Sequence, residues 1–233
     1  MSNELATKNA WDIAVPEEAQ PVPERPKNWL DRVALLTGNS GSVTEGKAAP
    51  LQYQVGKSTF LPKEFAALVI ARRPHAIHIK GGTPVKESYD INEEEYSDIA
   101  GLEMDPAVKK DSTQSAKTGQ DVLLWMPAIG QFGFLHLAAT ALDNLGEFIV
   151  AMPTKGNPPV PVVMGSSLRE NKKMGFKWFV PRATEDEDLE IQNPTPEALT
   201  KALELFRKPR PQGRGDDQTE DAAPAAKGKR KSK

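Results

Sequence analysis

The segment Pro161–Arg182, with the sequence PVVMGSSLRENKKMGFKWFVPR, constrains the fold of this chain more than any other part of it. Two short apolar stretches flank a basic, polar centre, a pattern that predicts two β-strands joined by a turn. Side chains of a strand alternate between its two faces, so Phe176, Trp178 and Val180 are expected to share the face that packs into a core. The segment therefore predicts a strand pair within a sheet.

The opposite face of the second strand carries Lys177 and Phe179, and Arg182 follows the closing proline. Lys172 and Lys173 lie in the turn, where exposure to solvent is expected. Cations attract phosphates and exposed rings stack on unpaired bases, so this combination is typical of surfaces that bind single-stranded nucleic acid. The alternative is that Phe179 is simply buried.

The order of the predicted elements indicates the fold class. Strand-like stretches are expected within residues 29–80 and over 122–136, whereas apolar residues of 138–150 recur at helical spacing. A final helix begins at Thr195-Pro196, since threonine is a favourable cap and proline suits the first turn. Strands and helices do not alternate, so we expect a mainly β (α+β) fold: a small antiparallel barrel or sandwich, or an OB-like sheet, with an inserted helix and a C-terminal helix. The nucleic-acid-binding barrel called the OB-fold is such an architecture.

Composition divides the chain further. Residues 1–27 are polar and rich in proline, which predicts a disordered arm, and 209–233 carry charges in blocks, which predicts a disordered tail. A β-rich core domain is expected over 28–183, and an acidic linker with the C-terminal helix over 184–208. Within the core domain, residues 86–121 have many acids and few apolar residues, so we expect a long surface loop or an insertion there.

A second basic strip surrounds Pro74, which is predicted to separate two strands rather than to interrupt one helix. Arg72, Arg73 and Lys80 supply its cations, and His75 and His78 supply its imidazoles. Two interpretations apply equally to this strip. It contacts phosphates, or it is a charged strand edge that discourages aggregation.

The composition argues against metal and catalytic sites. The chain has no cysteine and 3 histidines, which excludes thiolate chemistry and leaves few imidazole ligands. His136 could join His75 and His78 in a metal site, but no acid lies on the same short strand, so surface histidines are expected. Runs of adjacent acids are expected to be solvated and untuned for catalysis. The GKST stretch at 56–59 lacks the leading glycine of a phosphate-binding loop. We therefore predict no enzyme activity, no metal and no cofactor.

Length and charge set further limits. A chain of 233 residues is long enough for one domain with extensions, and its net charge of −2 gives no overall attraction to nucleic acid. Electrostatic binding must then come from local clusters of cations. Apolar runs are far shorter than a membrane span, and the first residues lack the features of a secretory signal. We expect no membrane partner and a cytoplasmic location.

The chain resembles a group of bacteriophage early proteins. The resemblance rests on the opening MSNELATKN, on a strand that runs into a helix, FGFLHLAATALDNL, and on the strand, polar turn and aromatic strand of PVPVVMGSSLRENKKMGFKWFVPR. It covers about residues 120–183 and the first ten. It implies an accessory of phage replication or recombination, a single-stranded DNA-binding protein of the OB type in the host cytoplasm. Bacterial proteins of that type end in an acidic tip that recruits partners, whereas this chain ends KGKRKSK, which argues against such recruitment.

These observations predict a non-enzymatic protein that binds single-stranded DNA in phage replication or recombination. Phe179, with Trp125 or Phe132, would stack bases. Two alternatives stay open: a phage structural or protein-interaction factor, and a nuclease or nucleotide hydrolase whose carboxylates meet only in the fold. Expected partners are single-stranded DNA and phage replication or recombination proteins, and homo-oligomerisation is left open. The residues predicted to bind nucleic acid are Arg72, Arg73, His78, Lys80, Trp125, Phe132, Lys172, Lys173, Lys177, Phe179 and Arg182.

Overall fold

The computed structural model describes residues 30–155, 157–172 and 175–208, so the predicted arm (1–27) and tail (209–233) lie outside the described residues. No helix in these ranges is both long enough and apolar enough to cross a bilayer. The strands are β1 (Asp31–Leu35), β2 (Tyr53–Val55), β3 (Thr59–Leu61), β4 (Phe65–Lys80), β5 (Thr83–Ser88), β6 (Gln114–Met126), β7 (Gln131–Ala138), β8 (Pro161–Asn171) and β9 (Phe176–Glu185). The α-helices are α1 (Gly41–Thr44), α2 (Glu94–Met104), α3 (Pro106–Lys110), α4 (Leu145–Val150) and α5 (Pro196–Arg207), and the 3₁₀ helices are Pro127–Ile129 and Ala139–Asn144.

All of these strands belong to one sheet. Its order is β3-β2-β1-β7-β6-β4-β8-β9, and β5 pairs with the second half of β4. Neighbouring strands are antiparallel except β1 and β7, which run parallel from the Asp31–Gly133 pair to the Val33–Leu135 pair. The sheet curls into a half-barrel. The mixed α+β class with a β-rich sheet is therefore confirmed.

The larger core lies on one side of the curled sheet. Val122, Leu124 and Met126 of β6 are fully buried there and pack with residues from the neighbouring strands and from α4. The alternate residues of the same strand, Leu123 and Trp125, belong to a second core on the other side. Since β6 is apolar on both faces between residues 122 and 126, it forms a continuous apolar run rather than an alternating pattern.

Helix α5 covers the second core. Leu199, Ala202 and Phe206 are buried on one stripe of the helix, at the spacing expected for a helix with one apolar face. Thr195 accepts a hydrogen bond from the Ala198 N–H at 3.2 Å through its side chain. The predicted C-terminal helix and its threonine cap are confirmed.

The segment between β7 and β8 protects the edge strand β9. Asn144 Nδ2 donates to the Pro181 carbonyl at 2.7 Å, and the Glu147 carboxylate accepts from the Ala183 N–H at 3.0 Å. Phe148 on the same segment is fully buried in the larger core. Edge backbone groups of β9 are therefore engaged within the chain instead of being open to another strand.

Residues 86–121, predicted as a long surface loop or an insertion, are not a loop, since they form the end of β5, helices α2 and α3 and the first half of β6. Ile99 and Val108 anchor the two helices against Ala76 of β4 and Ala116 of β6. Such an anchor needs few apolar residues because each helix rests on the sheet through one narrow stripe. A low apolar content therefore does not distinguish such helices from a surface loop.

Two further predictions differ from the structure. Pro74 does not separate two strands, because β4 continues through it opposite Gln120 of β6. On its other edge, β4 pairs with β8 through Phe65–Leu68 and with β5 from Ala76 onward. Among the described residues, no strand pairs with Pro74 on that edge, so the backbone N–H that proline lacks is not needed there. The single helix predicted over 138–150 is a 3₁₀ helix followed by the short α4.

Candidate functional site

The β8–β9 hairpin carries an exposed apolar and basic face. Its two strands make ten cross-strand pairs, among which Leu168 faces Phe179 and Glu170 faces Lys177. Leu168 is 51% exposed and Phe179 is 38% exposed. Lys177 Nζ lies 3.8 Å from Glu170 Oε1, an exposed pair of the kind that contributes little stability. One face of the hairpin thus presents the Phe179 ring, the Leu168 side chain and the Lys177 ammonium group beside the Glu170 carboxylate; we call it the hairpin face.

The opposite side of β9 points inward, in agreement with the predicted alternation. Val180 is buried in the larger core, and Trp178 packs against that core while its Nε1–H donates to Thr140 Oγ1 at 2.9 Å. Arg169, the cross-strand partner of Trp178, donates to Asn144 Oδ1 at 2.5 Å. These contacts fix the hairpin to the helical segment beside it and hold the hairpin face outward.

The other cations predicted on this segment differ in exposure. Lys172 is exposed where the strand enters the turn, and Lys173 lies outside the described residues. Arg182 is half-buried, and its Nη2 donates to Thr184 Oγ1 at 2.8 Å. Within this segment, Lys172 and Lys177 are therefore the described lysines that a phosphate could reach from solvent.

The basic strip on β4 lies at the other end of the sheet. Arg72 and Lys80 are exposed and His78 is half-buried. Strand β8 pairs with Phe65–Leu68 and runs antiparallel to β4, so the hairpin extends away from one end of β4 while the strip lies toward the other. The structure does not bring these two basic regions into one surface.

Two predicted stacking residues lie beneath α5. Trp125 is 3% exposed, and its Nε1–H donates to the Gln192 carbonyl at 2.7 Å. The Phe132 ring is half-buried and lies 4.8 Å from the Trp125 ring. Trp125 belongs to the second core and has no free face on which a base could stack.

Arg73, the remaining predicted residue, belongs to a buried polar group that composition did not reveal. Its members come from β4, from β5 and the residue that follows it, from β6 and from β7. Together they form the most concentrated set of ionisable side chains that the described chain buries. We call it the His–Asp cluster: Arg73, His75, Glu87, Tyr89, Asp121 and His136.

Strand register brings the cluster together. Asp121 of β6 pairs with Arg73 on one side and with His136 on the other, while His75 pairs with Gly119 two positions along. Alternate residues of a strand share a face, so all these side chains project to the side that α5 covers. His75 and His136, which are 61 positions apart in sequence, become direct neighbours in this way.

Asp121 is the centre of the cluster and is fully buried. Its Oδ1 lies 2.9 Å from His75 Nδ1 and 2.9 Å from His136 Nδ1, and these two nitrogens lie 3.2 Å apart. Its Oδ2 accepts hydrogen bonds from Arg73 Nε at 3.3 Å and Nη2 at 3.2 Å. Both carboxylate oxygens are therefore engaged, as a buried charge requires.

A second layer orients His75. Glu87 Oε1 lies 2.8 Å from His75 Nε2 and accepts a hydrogen bond from the Tyr89 hydroxyl at 2.5 Å. The Tyr89 ring stacks on the His75 ring with centroids 4.7 Å apart, and the Arg73 guanidinium lies 3.6 Å from the Tyr89 centroid. The imidazole of His75 is thus held on both nitrogens and on one face.

Arg73 also joins the cluster to the end of α5. Its Nη1 donates to the Phe206 carbonyl, and to the Lys208 carbonyl at 3.1 Å. The last carbonyls of a helix lack intrahelical donors and carry partial negative charge, so a guanidinium is a favourable partner there. The same side chain therefore neutralises Asp121 and caps the helix.

Hydrogen bonding and burial shift the pKa values in this cluster. Burial would raise the pKa of Asp121, but hydrogen bonds from His136 and His75 hold it well below its usual range. Burial would lower the pKa of His75, yet its hydrogen bonds to Asp121 and Glu87 raise it. For His136 burial prevails and lowers the pKa.

Sequence reasoning placed His75 and His136 at the surface and did not consider Asp121, Glu87 or Tyr89. His75 is 6% exposed, and its partner acids sit on neighbouring strands rather than on its own. The available signal was the alternation of Phe132, Phe134 and His136, which places that histidine on the same face as an apolar core. Extending β6 back from residue 122 would have placed Asp121 opposite it.

Comparisons with known proteins give no further guide to either region. No protein-family model, no curated protein and no solved structure matches this chain. The hairpin face and the His–Asp cluster are therefore interpreted from their own chemistry. They differ in kind, since the first is an exposed surface and the second is an internal site.

Proposed function

We propose that this protein binds single-stranded DNA through the hairpin face. The observation that carries the proposal is the exposed ring of Phe179, with Lys177 on the same face and Lys172 at the turn. An exposed ring offers a surface for a base, and nearby ammonium groups neutralise the adjacent phosphates. Stacking tolerates any base, so binding is expected to show little sequence preference.

We extend this proposal to the fold and the biological setting. The curl of the sheet supports an OB-like platform, in which one face and the adjoining loops hold the strand. Trp125 is omitted from the proposed surface because it is buried. The resemblance to bacteriophage early proteins supports a non-enzymatic role in phage replication or recombination, in the cytoplasm of the host.

One observation favours a second candidate, a protein-interaction factor. Leu168 is more exposed than Phe179 and lies directly beside it, and an aliphatic side chain contributes to protein contacts but not to base stacking. A protein partner would use both side chains for their apolar area. Single-stranded DNA would depend on the ring of Phe179 far more than on Leu168.

Salt dependence tests the electrostatic part of the proposal. Binding of a labelled oligo-dT to the full chain is measured by fluorescence anisotropy at several salt concentrations. For single strands, a plot of the logarithm of the binding constant against the logarithm of the salt concentration has a slope of about −0.7 per phosphate neutralised. Replacing three hairpin lysines with glutamine should therefore make this slope less negative by about 2. The variant replaces Lys172, Lys173 and Lys177. The control variant removes the same charge from exposed sites elsewhere, by replacing Lys109, Lys110 and Lys201 with glutamine, and should leave the slope nearly unchanged.

Substitution of Phe179 tests the stacking part. Phe179→Ala should weaken binding by about 1–3 kcal/mol, or roughly 5- to 150-fold, and leave the salt slope unchanged. Phe179→Tyr should retain affinity because the ring remains, while Leu168→Ala should have little effect. Equal losses from Phe179→Ala and Leu168→Ala would favour the protein-interaction candidate.

Deleting residues 227–233, which lie outside the described residues, should lower affinity without abolishing it; complete loss would contradict the proposal.

A further inference from the structure

We propose that His75, Asp121 and His136 bind one divalent first-row transition-metal ion, with Zn²⁺ as the best match, that fastens β4, β6 and β7 together. The site is separate from the hairpin face, so the outcome of its test does not affect the proposed function. It uses two imidazole nitrogens and one carboxylate oxygen, a donor set that suits zinc, cobalt and nickel. The sequence suggested His75 and His136 as possible ligands together with His78, but the third ligand is Asp121, and the three residues come from three strands.

The distances among the three ligand atoms fit a common metal. Asp121 Oδ1 is 2.9 Å from each histidine Nδ1, and the two nitrogens are 3.2 Å apart. Around zinc with bonds of about 2.0–2.1 Å, ligand atoms lie about 3.3 Å apart in a tetrahedron and about 3.0 Å apart at adjacent octahedral corners. The measured triangle therefore needs shifts of only a few tenths of an ångström to become one face of either polyhedron.

The surroundings of the triangle have the features of an outer coordination shell. Metal-bound histidines donate their second N–H to a carboxylate, and Glu87 Oε1 lies 2.8 Å from His75 Nε2. Metal-bound carboxylates are hydrogen-bonded in turn, and Arg73 holds Asp121 Oδ2 and leaves Oδ1 facing the two histidines. Glu87 is directed to the far nitrogen of His75, so the fourth metal position is left for water.

His136 directs one of its two ring nitrogens to the triangle, and within the described chain it lacks the outer partner that His75 has in Glu87. Its Nδ1 takes part in the triangle, whereas its Nε2 is buried without a hydrogen-bond partner among the described residues. Its polar contacts therefore all lie on the side of the triangle. Gly119 allows this position, since a Cβ there would lie 2.9 Å from His136 Cε1.

Burial of the triangle indicates a structural ion rather than a catalytic one. His75 is 6% exposed, Asp121 is 0% exposed, and the side chain of His136 is 12% exposed. Three protein ligands and a water molecule are the coordination of catalytic zinc sites, but the burial of all three side chains here limits the access of a substrate to the fourth position. The ion would join strands that are otherwise connected through backbone hydrogen bonds and core packing, and should therefore stabilise the folded state.

Metal titration of the full chain tests the proposal. Chelator-treated protein is titrated with Zn²⁺ alone by calorimetry and with Co²⁺ by visible absorption, and the melting temperature is followed in parallel. We expect one ion per chain, a higher melting temperature, and loss of both effects in His75→Asn and His136→Asn. Asparagine keeps a polar atom near the Nδ1 position but is a poor zinc ligand. Glu87→Gln should weaken affinity by about 10- to 100-fold.

The third histidine of the chain supplies the matched control. His78 lies on the same strand as His75 and contacts Gln114 at 3.2 Å instead of the cluster. His78→Asn should bind the ion as the wild type does. Absence of saturable binding to the wild type, equal binding by His75→Asn and His136→Asn, or equal loss in His78→Asn would each overturn the proposal.

Imidazole nitrogen NMR of the wild type keeps the test decisive if the variants fail to fold. On addition of Zn²⁺, the Nδ1 signals of two histidines should shift and those of the third should not. The spectrum of His78→Asn lacks the His78 signals and therefore shows whether His78 is the histidine that does not shift. A spectrum in which no histidine shifts, or in which His78 shifts with the others, would contradict a site formed by His75 and His136.

Discussion

Gly119→Ala should destabilise the fold more than the replacement of any other glycine in the central strands with alanine. A Cβ at this position would lie 2.2 Å from the Leu137 carbonyl oxygen and 2.9 Å from His136 Cε1. Separations under 3.0 Å are essentially never seen for a real Cβ. The backbone of β7 would therefore have to retreat by about 0.8 Å from β6, in the middle of the sheet.

The expected size follows from this clash. Overpacking a well-filled interior costs about 1–3 kcal/mol when side chains adjust, and a backbone oxygen adjusts less readily than a side chain. We therefore expect about 3 kcal/mol, and a chain of this length loses about 2–4 °C in melting temperature per kcal/mol. Thermal unfolding followed by circular dichroism should show a decrease of about 6–12 °C.

A second glycine supplies the control. Gly101 lies inside α2 and is exposed, and a Cβ added there would meet no atom within 4 Å. Alanine is favoured over glycine in a helix by about 0.5–1 kcal/mol, so Gly101→Ala should raise the melting temperature by about 1–4 °C. The same chemical change thus has opposite expected signs at two positions. If Gly119→Ala melts at the wild-type temperature, β6 and β7 are not packed as described.

Three other measurements follow from the structure. Asp121→Ala should cost about 3–5 kcal/mol in denaturant unfolding, because it leaves the mostly buried guanidinium of Arg73 without its counter-charge; Asp98→Ala, at an exposed ion pair, should change stability little. Thr195→Ala should cost about 1 kcal/mol, since it removes the cap of α5, whereas Thr195→Ser should cost less; equal losses would show that the hydroxyl does not act as the cap. ATP hydrolysis should be absent, because the GKST stretch forms the turn from β2 into the first residue of β3, with Lys57 exposed; turnover that Lys57→Ala removes would refute this.

The β8–β9 hairpin and α5 could be predicted because their signals are local. Strand alternation around Lys177 and Phe179 places one set of side chains inward and the other outward, whatever the rest of the sheet does. Thr195 and Pro196 mark a helix start through contacts within one turn. In both cases the decisive residues lie within a few positions of one another.

The His–Asp cluster could not be predicted in this way because it depends on register across β4, β6 and β7. His75 and Asp121 are 46 positions apart, and a shift of one residue in either strand would send one of them to the opposite face. The first half of β6 also lacks the apolar pattern of a strand, because its face toward α5 carries this polar group. Its other face is covered by two short helices that need few apolar contacts.

The parallel pairing of β1 with β7 affects the order in which the chain can fold. Asp31 and Gly133 are neighbours in the sheet although about a hundred residues separate them, and contacts of this kind slow folding because a long loop must close first. During synthesis, β1, β2 and β3 can form a small antiparallel meander at once, but their place in the sheet exists only after β7 has left the ribosome. Until then the side chains of Tyr53, Val55 and Leu61 have no completed core to enter, so this early meander stays exposed to aggregation until β7 is made.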